Sequence, residues 1–380
     1  MTGKNEYKPI KAFHPGITLR DKLSEMEMSI KEFAVRTAKP EKTINAVLTG
    51  ASSVTPDMAI AFEQVTRIPA HFWLNLQRSF DEYLARKKRE ECFQDPHNQE
   101  WASRFPYAKM ASKGWVPATR SSSEKVKNLL DFFGITSTKA WEDYFLRQEL
   151  KVSFRISLAN AKDPYAVSAW LRRGELLASK QAVEQSYCSV DLKQAIPVFL
   201  KLVEEQPDDF ADRLVRACTE VGVKLVFVPH IQHAPVNGCV RWIGDTPCIQ
   251  LTDRQKRNDV FWFSFFHEIG HILLHGKKDV FLEDDYFRAN ERNKEDEADQ
   301  FASRTLLPVQ AECDIVNAED FTPSAIMKYA EKYHTHPAII VGRLQFRGLI
   351  PFDSSLNKLV AHLSVNEAIN DNQARDFVPQ

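Results

Sequence analysis

At 380 residues the chain is too long for one ordinary core and is expected to divide into two or three domains. Its 43% hydrophobic and 27% charged residues are the make-up of a globular protein and exclude a disordered chain. The net charge of −1 gives the whole chain no electrostatic commitment to nucleic acid, yet residues 1–90 hold 15 Lys and Arg against 11 Asp and Glu, a balance that permits DNA binding.

The start of the chain has no apolar stretch or small-residue cleavage site, so no signal peptide is expected. The longest apolar run, 260–266, is broken by Ser264 and is too short to span a bilayer, so no membrane association is expected. Six cysteines form no C-x-x-C pair, which argues against a disulfide framework or a thiolate zinc site and for a cytoplasmic location.

Amphipathic periodicity predicts short helices over 19–26, 30–38 and 41–48. Thr55 caps a fourth, which Pro56 opens and which runs to about 67. A fifth covers 69–84 and passes into Arg86-Lys87-Lys88-Arg89, which reads as the end of a domain. With Pro96, Pro106 and Pro117, the stretch from 91 is expected to be irregular, and helical periodicity resumes at 124–133, 140–150, 165–179 and 192–205. Trp141, Tyr144 and Trp170 stand in helical register and are assigned to packing. A strand follows at 223–228, then a hairpin of 238–243 and 247–252 turned at Gly244-Asp245-Thr246. A long helix starts at Asn258 or Asp259 and is stopped after His275 by Gly276. Further helices cover 293–305, 323–333 and 337–346.

His267-Glu268-Ile269-Gly270-His271 matches H-E-x-x-H. On a helix the two imidazoles lie on one face and can reach one ion, while Glu268 points to its open side. Imidazole suits zinc, and a catalytic zinc takes three protein ligands and leaves a position for water. The third ligand is expected from the later acidic helix. Glu295 and Glu297 point to roughly opposite sides, so one at most can serve. Glu295 shares its face with Ala298, Asp299 and Ala302; the alanines allow close approach, and Asp299 can accept the far N–H of a ligand histidine. Glu295 is therefore chosen. Glu268 is expected to act as the catalytic base. His275, one turn beyond His271, is expected to be a polar helix end, since a fourth ligand would close the site. His230 and His233 are left unassigned.

Residues 210–308 resemble the ImmA/IrrE family of metallopeptidases. The resemblance rests on Val221-Gly222-Val223, on Phe261-Trp262-Phe263 leading into His267-Glu268-Ile269-Gly270-His271-Ile272-Leu273-Leu274-His275, and on Glu295-x-x-Ala298-Asp299-x-Phe301-Ala302 ending in Leu306-Leu307-Pro308. It implies His267, His271 and Glu295 as ligands, Glu268 as base, and helix-turn-helix repressors as the proteins cleaved or removed.

Residues 29–48 fit helix, short turn, helix, with Ala34 the small residue at the crossing. The second helix would offer Lys42, Thr43 and Asn45 to the major groove, with Lys39 reaching from the turn. No arginine stands on this helix and Glu41 opposes phosphate, so weak or narrow affinity is compatible with the pattern. The flanking His14-Pro15-Gly16, Thr55-Pro56-Asp57-Met58-Ala59 and Phe72-Trp73-Leu74-Asn75-Leu76-Gln77 resemble HigA-type antitoxins of the XRE repressor class. That resemblance implies a homodimer through the N-terminal domain, binding to double-stranded DNA at its own operator, and a toxin partner.

The expected architecture is mainly α with a small β-sheet (α+β). A five-helix helix-turn-helix domain occupies 1–90, a helical connector 91–210, a zincin-like metallopeptidase domain 211–320 and a helical extension 321–380. The leading expectation is a DNA-binding regulator with a zinc endopeptidase that acts on a repressor, an antitoxin or itself. Self-cleavage is expected between 93 and 123. The alternatives are a DNA-binding antitoxin whose zinc domain only senses or binds a partner, and a zinc enzyme that cuts something other than peptide.

Overall fold

In this computed structural model the described residues are 12–148, 163–277 and 284–363. They fall into two compact units, Met1–Gln99 and Glu100–Gln380.

In the first unit His14 caps helix α1 (Pro15–Glu25), its Nδ1 accepting the Gly16 N–H at 3.0 Å. A Cβ on Gly16 would lie 2.0 Å from the Val47 carbonyl oxygen, so glycine lets α1 cross α3 (Glu41–Leu48) closely. Between them α2 (Ile30–Arg36), capped by Ser29, shares the core with α3, and its Ala34 is buried. The turn bends at Ala38, whose φ of +51° costs a non-glycine residue about 1 kcal/mol. Thr55 caps α4 (Pro56–Thr66), and α5 (Ala70–Gln94) closes the bundle. Leu19, Phe33, Ile44, Val47, Phe62 and Trp73 are wholly buried between these helices. Each such side chain stabilises the bundle by about 1.5–3 kcal/mol relative to exposure. Gln77 ties the loop before α4 to α5: its Oε1 accepts the Val54 N–H at 2.9 Å and its Nε2 donates to Asp81 at 2.9 Å.

The basic run 86–89 does not end a domain. It lies within α5, because Lys, Arg and Glu are good helix formers and Arg86 pairs with Glu82 one turn back. The stretch from 93 to 123 is helical over more than half its length, with 104–106 and 113–121 outside regular structure. It holds α6 (Pro96–Ser103), α7 (Tyr107–Ser112) and the start of α8 (Ser122–Phe133). Pro96 opens α6 and Pro106 precedes α7, the helix starts where proline is tolerated. Trp101, Phe105, Tyr107, Met110, Trp115 and Val116 are buried. These buried side chains correct the expectation of an exposed, irregular segment as the place of self-cleavage, of which 117–121 keep that character.

The short α9 (Thr138–Trp141) continues as a π turn, Glu142–Gln148. Trp141 is wholly buried and stacks on Tyr165 at 4.8 Å, and Trp170 is buried too, whereas Tyr144 is 42% exposed and meets Phe145 edge-on. Part of the segment expected as helix to 150 lies outside the described residues.

Helices α10 (Pro164–Ala178), α11 (Ser189–Glu205) and α12 (Phe210–Glu220) lead to a three-stranded sheet. Its strands β1 (Lys224–Phe227), β2 (Gly238–Ile243) and β3 (Thr246–Leu251) lie in the order β1-β3-β2. β3 runs parallel to β1 and antiparallel to β2, which is an edge strand. α10 covers one face: Gln250 Nε2 donates to the Trp170 carbonyl at 2.8 Å, and Gly174 leaves room for that amide. α13 (Asn258–Gly270) covers the other face against Phe227 and Leu251. It is apolar on nearly all sides and correspondingly buried, with Trp262, Phe265, Phe266 and Ile269 inaccessible.

Beyond it stand α14 (Asp284–Leu306), α15 (Val309–Ala318), α16 (Pro323–Lys332) and α17 (Pro337–Phe346). One apolar core runs from Leu192 on α11 to Leu363. The expected divisions at 210 and 320 therefore run through shared packing: the connector supplies α10 and α11, and the extension supplies α16 and α17. Mainly helical with a small sheet, the α+β class is the one observed. Among the described residues no helix is long and apolar enough to cross a membrane.

Candidate metal centre and helix-turn-helix surface

Gly270 at the end of α13 lets α14 come close, since a Cβ there would lie 3.3 Å from the Ala298 Cα. Ala298 and Ala302 are wholly buried along the same contact. This approach sets Glu295 against both motif imidazoles. Its two oxygens lie 3.2 Å from His267 Nε2 and 3.2 Å from His271 Nε2, and the two ring nitrogens are 2.9 Å apart. Donors bound at about 2 Å to one tetrahedral ion stand about 3.3 Å apart, so two imidazoles and a carboxylate in this array fit a zinc-like divalent ion. The ligand atoms of His267, His271 and Glu295 all lie within 4.8 Å of one another.

The polar surroundings are as informative. Asp299 Oδ1 lies 2.8 Å from His267 Nδ1, on the side away from Glu295. Burial works against a charge on His267, but the carboxylates of Asp299 and Glu295 outweigh it and hold the imidazolium up to about 10. Burial likewise opposes charge on Glu295, yet the two imidazoles hold its carboxyl well below the usual range. An ion bound here would take the place of a proton, so its uptake releases one.

Glu268 is 5% exposed. It sits beside the start of β2, where a Cβ on Gly238 would fall 3.0 Å from its Oε1. Burial pushes the neighbouring Cys239 thiol well above its ordinary value, and the Glu268 carboxylate adds to that. Glu297, the carboxylate passed over in favour of Glu295, turns instead to His275, Oε2 to Nε2 2.9 Å. His275 is not in the donor set; its Nδ1 lies 3.1 Å from His271 Nδ1. The close fit of Gly238 has no local signature.

In the first unit, Ile44, Val47 and Leu48 face the core, leaving Lys42 and Asn45 exposed and Thr43 half-buried on the outer side of α3. Lys39 is ion-paired with Asp57 in the first turn of α4, so its charge is already engaged.

A helix-turn-helix unit joined in one chain to a unit with a His-His-Glu donor cluster defines a regulator-type protein with a metallopeptidase-type domain. Residues 218–320 match the Peptidase M78 family, described as the IrrE N-terminal-like domain. The N-terminal region is 35% identical over 66 residues to YddM, an HTH-type transcriptional regulator of Escherichia coli strain K12, covering 17% of this chain and 70% of that protein. By that region the chain belongs to the HTH-type transcriptional regulators. Two solved structures are also similar. An addiction module antidote protein of the HigA family from Coxiella burnetii shares 35% identity over 21% of this chain and 87% of its own, with a TM-score of 0.20. The Pseudomonas aeruginosa antitoxin HigA with the higBA promoter shares 28% over 21% and 89%, with a TM-score of 0.21.

Proposed function

We propose that this chain is a DNA-binding regulator whose second unit is a zinc-dependent endopeptidase, acting on a separate helix-turn-helix repressor or antitoxin. The observation that carries the enzymatic part is the convergence of His267, His271 and Glu295 with the buried Glu268 alongside. His267 Nε2, His271 Nε2 and the Glu295 carboxylate would hold the ion. Zinc so held supplies a polarised water at neutral pH and charge stabilisation for a carbonyl oxygen.

The chain's own residues do the rest. Asp299 keeps the His267 ring turned with Nε2 towards the cluster. Glu268, the proton acceptor, takes a proton from the attacking water and returns it to the departing amine. The apolar α13 excludes bulk water behind it. The strand β2 lies next to Glu268, where an extended peptide can pair along the side that meets no described strand. The helices and buried aromatic side chains within 93–123 favour a substrate in trans over the chain itself.

The helix-turn-helix unit would read its own operator as a homodimer, with Asn45 and Lys42 towards bases and phosphates and Thr43 beside them. The family's regulators and the antitoxin likeness support this assignment. The decisive experiment incubates the full chain with helix-turn-helix repressors encoded beside it and follows cleavage by mass spectrometry. Cleavage by wild type and none by Glu268→Gln, with zinc retained in both, is the expected result. A zinc-loaded wild type that cuts no repressor leaves a partner-binding module instead.

A further inference from the structure

The two motif histidines are backed differently. His267 rests its Nδ1 directly on the Asp299 carboxylate. His271 is backed by another imidazole. Its Nδ1 lies 3.1 Å from the Nδ1 of His275, and His275 Nε2 lies 2.9 Å from Glu297 Oε2. Both rings are buried, at 4% and 7% exposure. The contact forms where α13 gives way to a π turn, His271–His275, which changes the angle between residues four apart.

The protonation pattern follows from valence. A ring that offers Nε2 as a lone pair to a metal carries its proton on Nδ1. Between His271 Nδ1 and His275 Nδ1 only one proton fits, so His275 must accept there and carry its own proton on Nε2. That proton points at Glu297, which as a carboxylate only accepts. Each of the three positions thus fixes the next.

We infer that His275 and Glu297 are positioning residues for His271: together they select its metal-binding tautomer and orient its ring. The inference rests on the zinc reading above. It gives Glu297 a part at the site, although Glu295 holds the ligand position. Removing either member should weaken zinc binding by about 10–100-fold, as for other outer partners of ligand histidines.

Full-length wild type and variants should be titrated with zinc against a chromophoric chelator, and with Co²⁺ to record the visible ligand-field spectrum. His275→Phe fills the ring's volume without a nitrogen. Glu297→Ala alters a side chain that is 60% exposed and should fold. Both should lose affinity and shift the Co²⁺ spectrum. Glu297→Gln keeps an oxygen that accepts from His275, so it should recover most of the loss. His275→Phe with Glu297→Ala should lose no more than the worse single change, because both break one chain of contacts. Wild-type affinity in His275→Phe and Glu297→Ala would overturn the inference while leaving the zinc reading intact, as would additive losses. A wild type that takes up no zinc overturns both.

Discussion

Gly238 and Glu268, thirty residues apart, share one small volume: the Cβ that any other residue would bring to position 238 falls 3.0 Å from Glu268 Oε1 and 3.3 Å from its Cγ. The same Cβ would press on Leu251 at 2.9 Å. Gly238 does not have a left-handed φ, so its backbone conformation does not demand glycine. The missing side chain serves the placement of the carboxylate. Gly238→Ala should therefore shift Glu268 by a few tenths of an ångström and lower peptide cleavage, by less than the about 10²-fold that a 1 Å misplacement costs. Zinc content should stay at the wild-type level. Full cleavage by Gly238→Ala would show that Glu268 needs no such fit.

Metal analysis of the purified chain should find about one zinc per molecule. His267→Ala or Glu295→Ala should lower affinity by more than about 100-fold, beyond the range of outer-partner changes. Chelation should lower the thermal midpoint of the second unit, since zinc at about 100 times its Kd stabilises the folded form by about 2.7 kcal/mol. An unchanged midpoint after complete zinc removal contradicts a coupling of metal binding to folding.

On the DNA side, Asn45→Ala should weaken binding to the operator more than to random duplex. The Lys39–Asp57 pair makes a sharper test. Asp57→Asn frees the lysine, so affinity should rise and the slope of log K against log salt should steepen by about 0.9 for one added phosphate contact. An unaltered slope places Lys39 away from the backbone of the duplex.

His14 carries a pH dependence. Burial lowers its pKa from 6.5, with the Ser52 backbone and the Asp81 charge working partly against that, and only the neutral ring can accept the Gly16 N–H. The folded form thus binds fewer protons than the unfolded one. Its contribution is complete above pH 6.5 and declines as pH falls from there towards the lowered folded value. Hydrogen exchange of α1 and α3 amides, corrected for intrinsic rate, should show protection lost as pH falls below 6.5. His14→Asn keeps an acceptor without titrating, and its protection should change less over that range. Parallel curves for the two proteins would assign the dependence to other groups.

Much of this was legible in the residues. The choice of Glu295 over Glu297 followed from which face of a helix carries Ala298 and Ala302, and the buried alanines stand where that reasoning placed them. α6 and α7 were missed because proline was weighed as a breaker, although Pro96 and Pro106 stand at helix starts. α12 was missed at a change of texture, despite Ala211, Leu214, Val215 and Cys218 burying one face. The contact of His275 with His271 depends on a switch from α to π winding, which an assumed 3.6-residue period cannot show. The Gly238–Glu268 fit is tertiary and has no local pattern at all.

The shared core from Leu192 to Leu363 also orders events during synthesis. The helix-turn-helix unit is complete once Gln99 has emerged. His267 and His271 are made long before Ile340, Leu344 and Leu363, which close the core around their helix. At about 5–20 residues per second the interval from Gln99 to Leu363 is on the order of tens of seconds. A nascent chain on the ribosome can thus hold a finished helix-turn-helix fold well before its metallopeptidase-type unit has a floor to stand on.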